Sequence, residues 1–136
     1  MINRHESYSV KEVKRILKNQ GTFITQQVGG LNDKEVNELL GVPESPYYNW
    51  NLEYAVKELI NEGFNIQLQK EDLVKTRFYD IGAIVFYLKA IPWQVPDFTV
   101  ETYFEELKEI NFLIQNDGFI DFTCHRFFIL ANIERV

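Results

Sequence analysis

At 136 residues and 46% hydrophobic, the chain has the size of one globular domain and can bury roughly two thirds of its unfolded surface. A net charge of −6 argues against a general nucleic-acid surface, so nucleic acid is not an expected partner. The single cysteine excludes an internal disulfide, and two histidines without paired cysteines make a structural metal site an unexpected feature.

The chain opens MINRHESYSV, with Asn3, Arg4, His5 and Glu6 in succession behind only Met1 and Ile2. Ser9-Val10-Lys11-Glu12 is a capping box, in which Ser9 accepts from the third helical N–H and Glu12 can reach back. Val10, Val13, Ile16 and Leu17 recur at helical spacing, and Gly21 stands where a left-handed cap is expected. Thr22–Val28, rich in β-formers and ended by Gly29-Gly30, predicts a strand.

Asn32 is placed to cap a short helix carrying Val36, Leu39 and Leu40, closed by Gly41. Leu52, Ala55, Val56, Leu59 and Ile60 predict a second helix, stopped by Gly63. Phe64, Ile66 and Leu68 then alternate with Asn65, Gln67 and Gln69, the pattern of a strand with one wet face near a sheet edge. Asp80 is a cap for IGAIVFYLKAI, which is apolar almost all round and predicts a helix buried on most of its circumference. Its apolar run, Ile81–Leu88, falls far short of the ~20 residues that span a bilayer.

Thr99 is expected to start the longest helix, with Val100, Tyr103, Phe104, Leu107, Ile110 and Ile114 as its stripe and Gly118 as its stop. The terminal GFIDFTCHRFFILANIERV reads as two strands, 119–123 and 127–133, turning at Cys124-His125. The continuous apolar run Phe127–Leu130 suggests a strand covered on both faces. Helices interleaved with strands indicate an α/β layer structure in a single domain, residues 1–136. No G-x-G-x-x-G or phosphate-binding loop is present in the sequence.

In their order, these segments resemble the C-terminal half of a class I S-adenosylmethionine-dependent methyltransferase. RILKNQGTFITQQVGG is similar to the helix, Leu-Lys-Pro-Gly-Gly type turn and fifth strand of that family, with Asn19-Gln20-Gly21 in place of Pro-Gly-Gly. LINEGFNIQLQKED resembles the next helix and strand, and RFFILANI the antiparallel seventh strand. NRHESY corresponds to the loop after the fourth strand. The resemblance implies part of a doubly wound, Rossmann-like mixed sheet, with inserted helices at about residues 78–117.

It also implies a cofactor, S-adenosylmethionine, whose glycine-rich turn and ribose carboxylate precede the matched segments. Met1-Ile2 then reads as the stub of a truncated fourth strand. This chain alone is expected to bind no cofactor, and whether it is an enzyme by itself stays open. The alternatives to an inactive methyltransferase-like chain are a non-enzymatic interaction module and one half of a split methyltransferase.

Several residues become site candidates on this footing. His5 is a candidate general base, and Asn3 and Arg4 are candidate cofactor contacts at the carboxyl end of a strand. The plainer reading of all three in an isolated chain is a solvated N-terminus. Gln26 and Gln27 point to opposite faces of their strand, so one can face an acceptor pocket, or both can bond to nearby backbone. Tyr79, Tyr87 and Trp93 are candidate pocket walls, against the ordinary core reading that suits Phe86. The implied partner is a second copy paired along an exposed edge of strand 22–28, or a missing N-terminal half. Nothing at the N-terminus reads as a signal peptide, so a cytoplasmic location is expected, without a membrane partner.

Overall fold

A computed structural model describes residues 1–135. The elements in chain order are β1 (Ile2–Arg4), α1 (Val10–Ile16), β2 (Thr22–Val28), α2 (Lys34–Leu40), α3 (Leu52–Asn61), β3 (Phe64–Phe78), α4 (Ile81–Ala90), α5 (Phe104–Asp117) and β4 (Ile120–Ile133). The fold is α/β, with one four-stranded mixed sheet in the order β1-β2-β4-β3. The parallel pair is β1 and β2, and β4 runs antiparallel to β2 from Thr22↔Asn132 to Val28↔Arg126. The chain divides into two compact units. One comprises Met1–Leu31, Tyr47–Leu73 and the chain from His125 onward; the other comprises Asn32–Pro46 and Val74–Cys124. No helix among the described residues is long and apolar enough to cross a membrane.

In the first unit, Ser9 caps α1 by accepting from the Glu12 N–H at 3.5 Å, as its motif predicts. Glu12 does not reach back, because its carboxylate bonds Arg15 at 2.9 Å. Nor is Gly21 a left-handed cap. Gln20 takes that conformation, at φ 61°, and donates its N–H to the Ile133 carbonyl at 2.8 Å. Val10 and Val13 of α1 and Ala55 and Leu59 of α3 then bury Phe23, Phe127 and Ile129 on one face of the sheet. Asn51 caps α3 through the Tyr54 N–H at 2.9 Å.

The expected exposed edge of strand 22–28 does not exist. Residues 1–5 lie along it, pairing Ile2↔Ile24, Asn3↔Thr25 and Arg4↔Gln26. Three further bonds extend the seam: the terminal ammonium to Thr22 O at 2.8 Å, Ile24 N–H to Met1 O at 2.9 Å, and His5 N–H to Gln26 O at 2.8 Å. A very short strand therefore occupies the β2 edge and leaves Phe23 and Thr25 at 0% exposure.

The expected turn at Cys124-His125 is likewise absent, since β4 is one continuous strand of 14 residues. The reversal comes earlier, at Gly118, and the strand then runs on past Cys124. One further expectation for β4 fails. Phe127, Ile129 and Ala131 are buried in the first unit's core, but Phe128 and Leu130 are only half-buried and lie outside it. The edge strand β3 also runs well past Gln69, to Phe78. Its bonds Lys75–Thr123 and Arg77–Asp121 follow opposite directions along the two strands, so β3 and β4 are antiparallel. Charged side chains at Lys70, Lys75 and Arg77 discourage pairing of this exposed edge with another strand.

In the second unit, Gly41 closes α2 and Gly118 closes α5 where expected, both in the left-handed conformation. Asn32 is not the cap of α2. Asp33 occupies that position at φ 55°, and its carboxylate bonds elsewhere. Asp80 caps α4 through the Ala83 N–H at 2.8 Å, as expected. The predicted all-round burial of α4 is overturned. Only Ile84 and Leu88 are buried, while Phe86 is 77% exposed, because the core of this unit reaches the helix from a single side. The longest helix starts at Phe104 rather than Thr99, whose hydroxyl instead closes a preceding turn by accepting from the Thr102 N–H at 3.0 Å.

Candidate functional site

Open α/β sheets bind ligands beyond the carboxyl ends of their parallel strands, which in this chain means the ends of β1 and β2. Alternation decides which side chains reach that region. Asn3, Thr25 and Gln27 share the helix-covered face of the sheet, whereas Arg4 and Gln26 share the other. On the covered face, Asn3 Oδ1 accepts from Thr25 Oγ1 at 2.8 Å and from Gln27 Nε2 at 2.7 Å. Gln27 Nε2 also lies 2.9 Å from the Glu6 carbonyl. The structure thus brings Asn3 and Gln27 together as a clamp that ties β1 to β2 and anchors the loop after it.

On the open face, Arg4 sits beside Gln26, and Arg126 of β4 is in register with Val28. His5 turns out of the sheet at φ 54°. Partial burial, then the positive charges of Arg126 and Arg4, push its imidazole below the ordinary 6.5. His5 is therefore neutral at pH 7, with a nitrogen lone pair available to accept a proton or hydrogen bond. A ¹H–¹⁵N titration of the imidazole should give a midpoint below 6.5, and Arg126→Gln should raise it part of the way back. A midpoint unmoved by that substitution would show that the arginine does not act on His5.

Behind this rim lies a constellation that the sequence reading placed in a turn. The His125 side chain is almost fully buried, with Nδ1 accepting from the Leu31 N–H at 3.2 Å and Nε2 at 2.8 Å from Glu71. Since Nδ1 accepts, the network assigns the ring proton to Nε2, which donates to the carboxylate. Glu71 also accepts from the Leu52 N–H at 3.0 Å. Partial desolvation raises its pKa, but the Leu52 N–H and His125 together outweigh that and hold the carboxyl below its usual range. The available signal was parity. His125 continues, two residues back, the buried series Phe127, Ile129, Ala131.

The same histidine explains Gly29, where an added Cβ would lie 2.1 Å from His125 Nδ1. At Gly30 an added Cβ would lie 1.9 Å from the Tyr47 carbonyl oxygen. The space beside both glycines is filled by this chain's own atoms.

The remaining candidates lie in the second unit. Tyr87 donates to Asp33 Oδ2 at 2.5 Å, and Asn32 Nδ2 reaches the same oxygen at 3.0 Å. Gln94 Nε2 bonds Asn37 Oδ1 at 2.7 Å and lies 3.3 Å from the Asp33 carbonyl. Tyr87 is thus held in a polar network around a buried carboxylate, which the sequence reading did not find. Tyr79 and Trp93 are 67% and 74% exposed.

These residues do not by themselves fit S-adenosylmethionine. The Asn3 amide oxygen is occupied by Thr25 and Gln27, and the glycine pair is packed against His125 and the Tyr47 carbonyl rather than open to a ligand. No protein-family model matches the chain, and a search of curated proteins finds no match.

Proposed function

We propose that this chain carries the part of a methyltransferase fold that follows the cofactor-binding turn, and takes part in methyl transfer only when joined to a half that supplies that turn. The supporting observation is the strand order. Thr22–Val28 lies between a parallel strand and the antiparallel last strand of the chain, the arrangement implied by likeness to the fifth, fourth and seventh strands of that family. On this reading the outer edge of β1 receives the remaining strands. Arg4, neutral His5 and Gln26 then border the acceptor, contributing charge and a proton acceptor beside the reacting groups. No step through the cofactor is assigned to these residues.

The test is calorimetric. Titrating the chain alone with S-adenosylmethionine should give no saturable heat. The same titration after co-purification with the product of the reading frame immediately upstream should give saturable binding. Micromolar binding by the chain alone would place the cradle within these 136 residues and refute the division proposed.

A second reading, a non-enzymatic interaction module, is favoured by one specific feature. Ile24, Val28, Phe128 and Leu130 form a half-buried apolar surface belonging to neither hydrophobic core.

A further inference from the structure

The two units differ in charge. Residues Asn32–Pro46 and Val74–Cys124 of the second unit hold twelve Asp and Glu against five Lys and Arg, a formal −7 in a chain whose net charge is −6. The second unit therefore sets the sign of the long-range field, which repels anions and draws cationic partners. Much of that charge lies in or beside α5, at Glu101, Glu105, Glu106, Glu109 and Asp117, with Lys108 the one cation of the helix. An acidic helix by itself marks no site, because an ordinary solvated face looks the same.

This helix also carries apolar side chains that the core of its unit leaves out. Leu107, Ile110 and Ile114 are buried, whereas Phe104 is 51% exposed, Phe112 65% and Leu113 38%. Phe112 and Leu113 join half-buried Leu39 of α2 in lining a groove of about 340 Å³. From Glu105 to Leu113 the groove follows α5 for about 12 Å, a little over two helical turns. An open apolar groove of that length matches the footprint of a helix laid along it. Little cationic charge opposes the carboxylates beside it. Lys108 Nζ lies 3.2 Å from Glu105 and 5.3 Å from the centre of the Phe104 ring, so that cation is already engaged. On α2, Lys34 is outnumbered by Glu35 and Glu38. Glu106 and Glu109 form no ion pair among the described residues. An acidic occupant would be repelled, and a basic one would give these carboxylates partners.

We propose that this groove receives a basic amphipathic helix of a partner protein. Its apolar side chains pack on Leu39, Phe112 and Leu113, and its Lys or Arg side chains face Glu106 and Glu109. The apolar contact supplies most of the affinity, while the carboxylates set orientation and speed of encounter. The site lies wholly within the second unit and does not depend on the methyltransferase reading.

Fluorescence anisotropy of the full chain with a labelled peptide tests it. The probe is a peptide of about 14 residues made only of leucine and lysine, with the leucines at i, i+3, i+4 and i+7. It should bind at least ~10-fold more tightly than a scrambled peptide of the same composition, and the leucine–glutamate counterpart should not bind. Phe112→Ser with Leu113→Ser, which leaves the charge unchanged, should weaken the patterned peptide at least ~10-fold. Glu106→Gln with Glu109→Gln should weaken it about threefold and flatten its salt dependence. Circular dichroism melts establish that each variant is folded. Absence of binding by the patterned peptide overturns the proposal. So does equal binding of the patterned and scrambled peptides, or binding indifferent to the serine substitutions, either of which reduces the groove to a diffuse acidic surface. Sedimentation equilibrium of the chain alone covers the remaining occupant. Self-association abolished by the serine substitutions would give the groove to a second copy and overturn the proposal as well.

Discussion

Replacing Ile84 by Asp should destabilise the protein by at least ~3 kcal/mol, from lost apolar burial together with a carboxylate placed where water cannot reach it. Ile84 is 0% exposed within the core formed by Leu88, Val95, Leu107, Ile110 and Phe122. That core contributes no cation to pair with the new charge, so the carboxyl must either be protonated or pull the helix away. The informative control lies two residues along α4. Phe86 is 77% exposed, and Phe86→Asp should change stability by no more than about 0.5 kcal/mol, as ordinary surface substitutions do. Urea denaturation midpoints of the two variants provide the comparison. Equal, large losses would mean that α4 is enclosed on all sides, while no loss for Ile84→Asp would make the helix a detachable surface element.

The second large effect is expected at the paired glycines, and its two members should behave differently. At Gly30, the obstacle to a methyl group is backbone, the carbonyl oxygens of Tyr47 and Tyr48 at 1.9 and 2.5 Å. Side-chain rotation cannot relieve that overlap, so Gly30→Ala should cost ~3 kcal/mol or more by forcing the loop apart. At Gly29 the obstacle is the His125 ring, fixed by the Leu31 N–H and Glu71. Gly29→Ala should therefore be costly in the original protein but much milder in a His125→Ala background. The two substitutions should be coupled by roughly 1–3 kcal/mol, in the range of residues that share a packing site. Thermal melts of the two single variants and the double variant give that coupling directly. Strict additivity would show that the histidine does not set the requirement for glycine.

The folded site has more order than its candidate residues suggested. Asn3 and Gln27, expected to meet ligands, bond each other across β1 and β2. Arg4, His5 and Gln26 remain at the open carboxyl edge, joined by Arg126 from a distant strand. The join has no local signature, because Arg126 lies a hundred residues beyond Gln26 in the chain.

Local sequence is decisive wherever a short segment can satisfy itself. Ser9 and Asp80 cap helices because a side-chain oxygen and an orphan N–H three residues away need nothing else. Gly41 and Gly118 end helices because the left-handed conformation is cheapest for glycine, and the β-formers of Thr22–Val28 make a strand. Tertiary structure decided the rest. The apolar run of α4 could have been enclosed on every side, but packing reaches it from one. Cys124-His125 could have turned, but partner strands hold it extended and bury the imidazole over Gly29. The edge of β2 could have stayed open, but five N-terminal residues satisfy it. Each of these outcomes turns on which remote atoms lie within a few ångströms, and neither periodicity nor propensity within a segment carries that information.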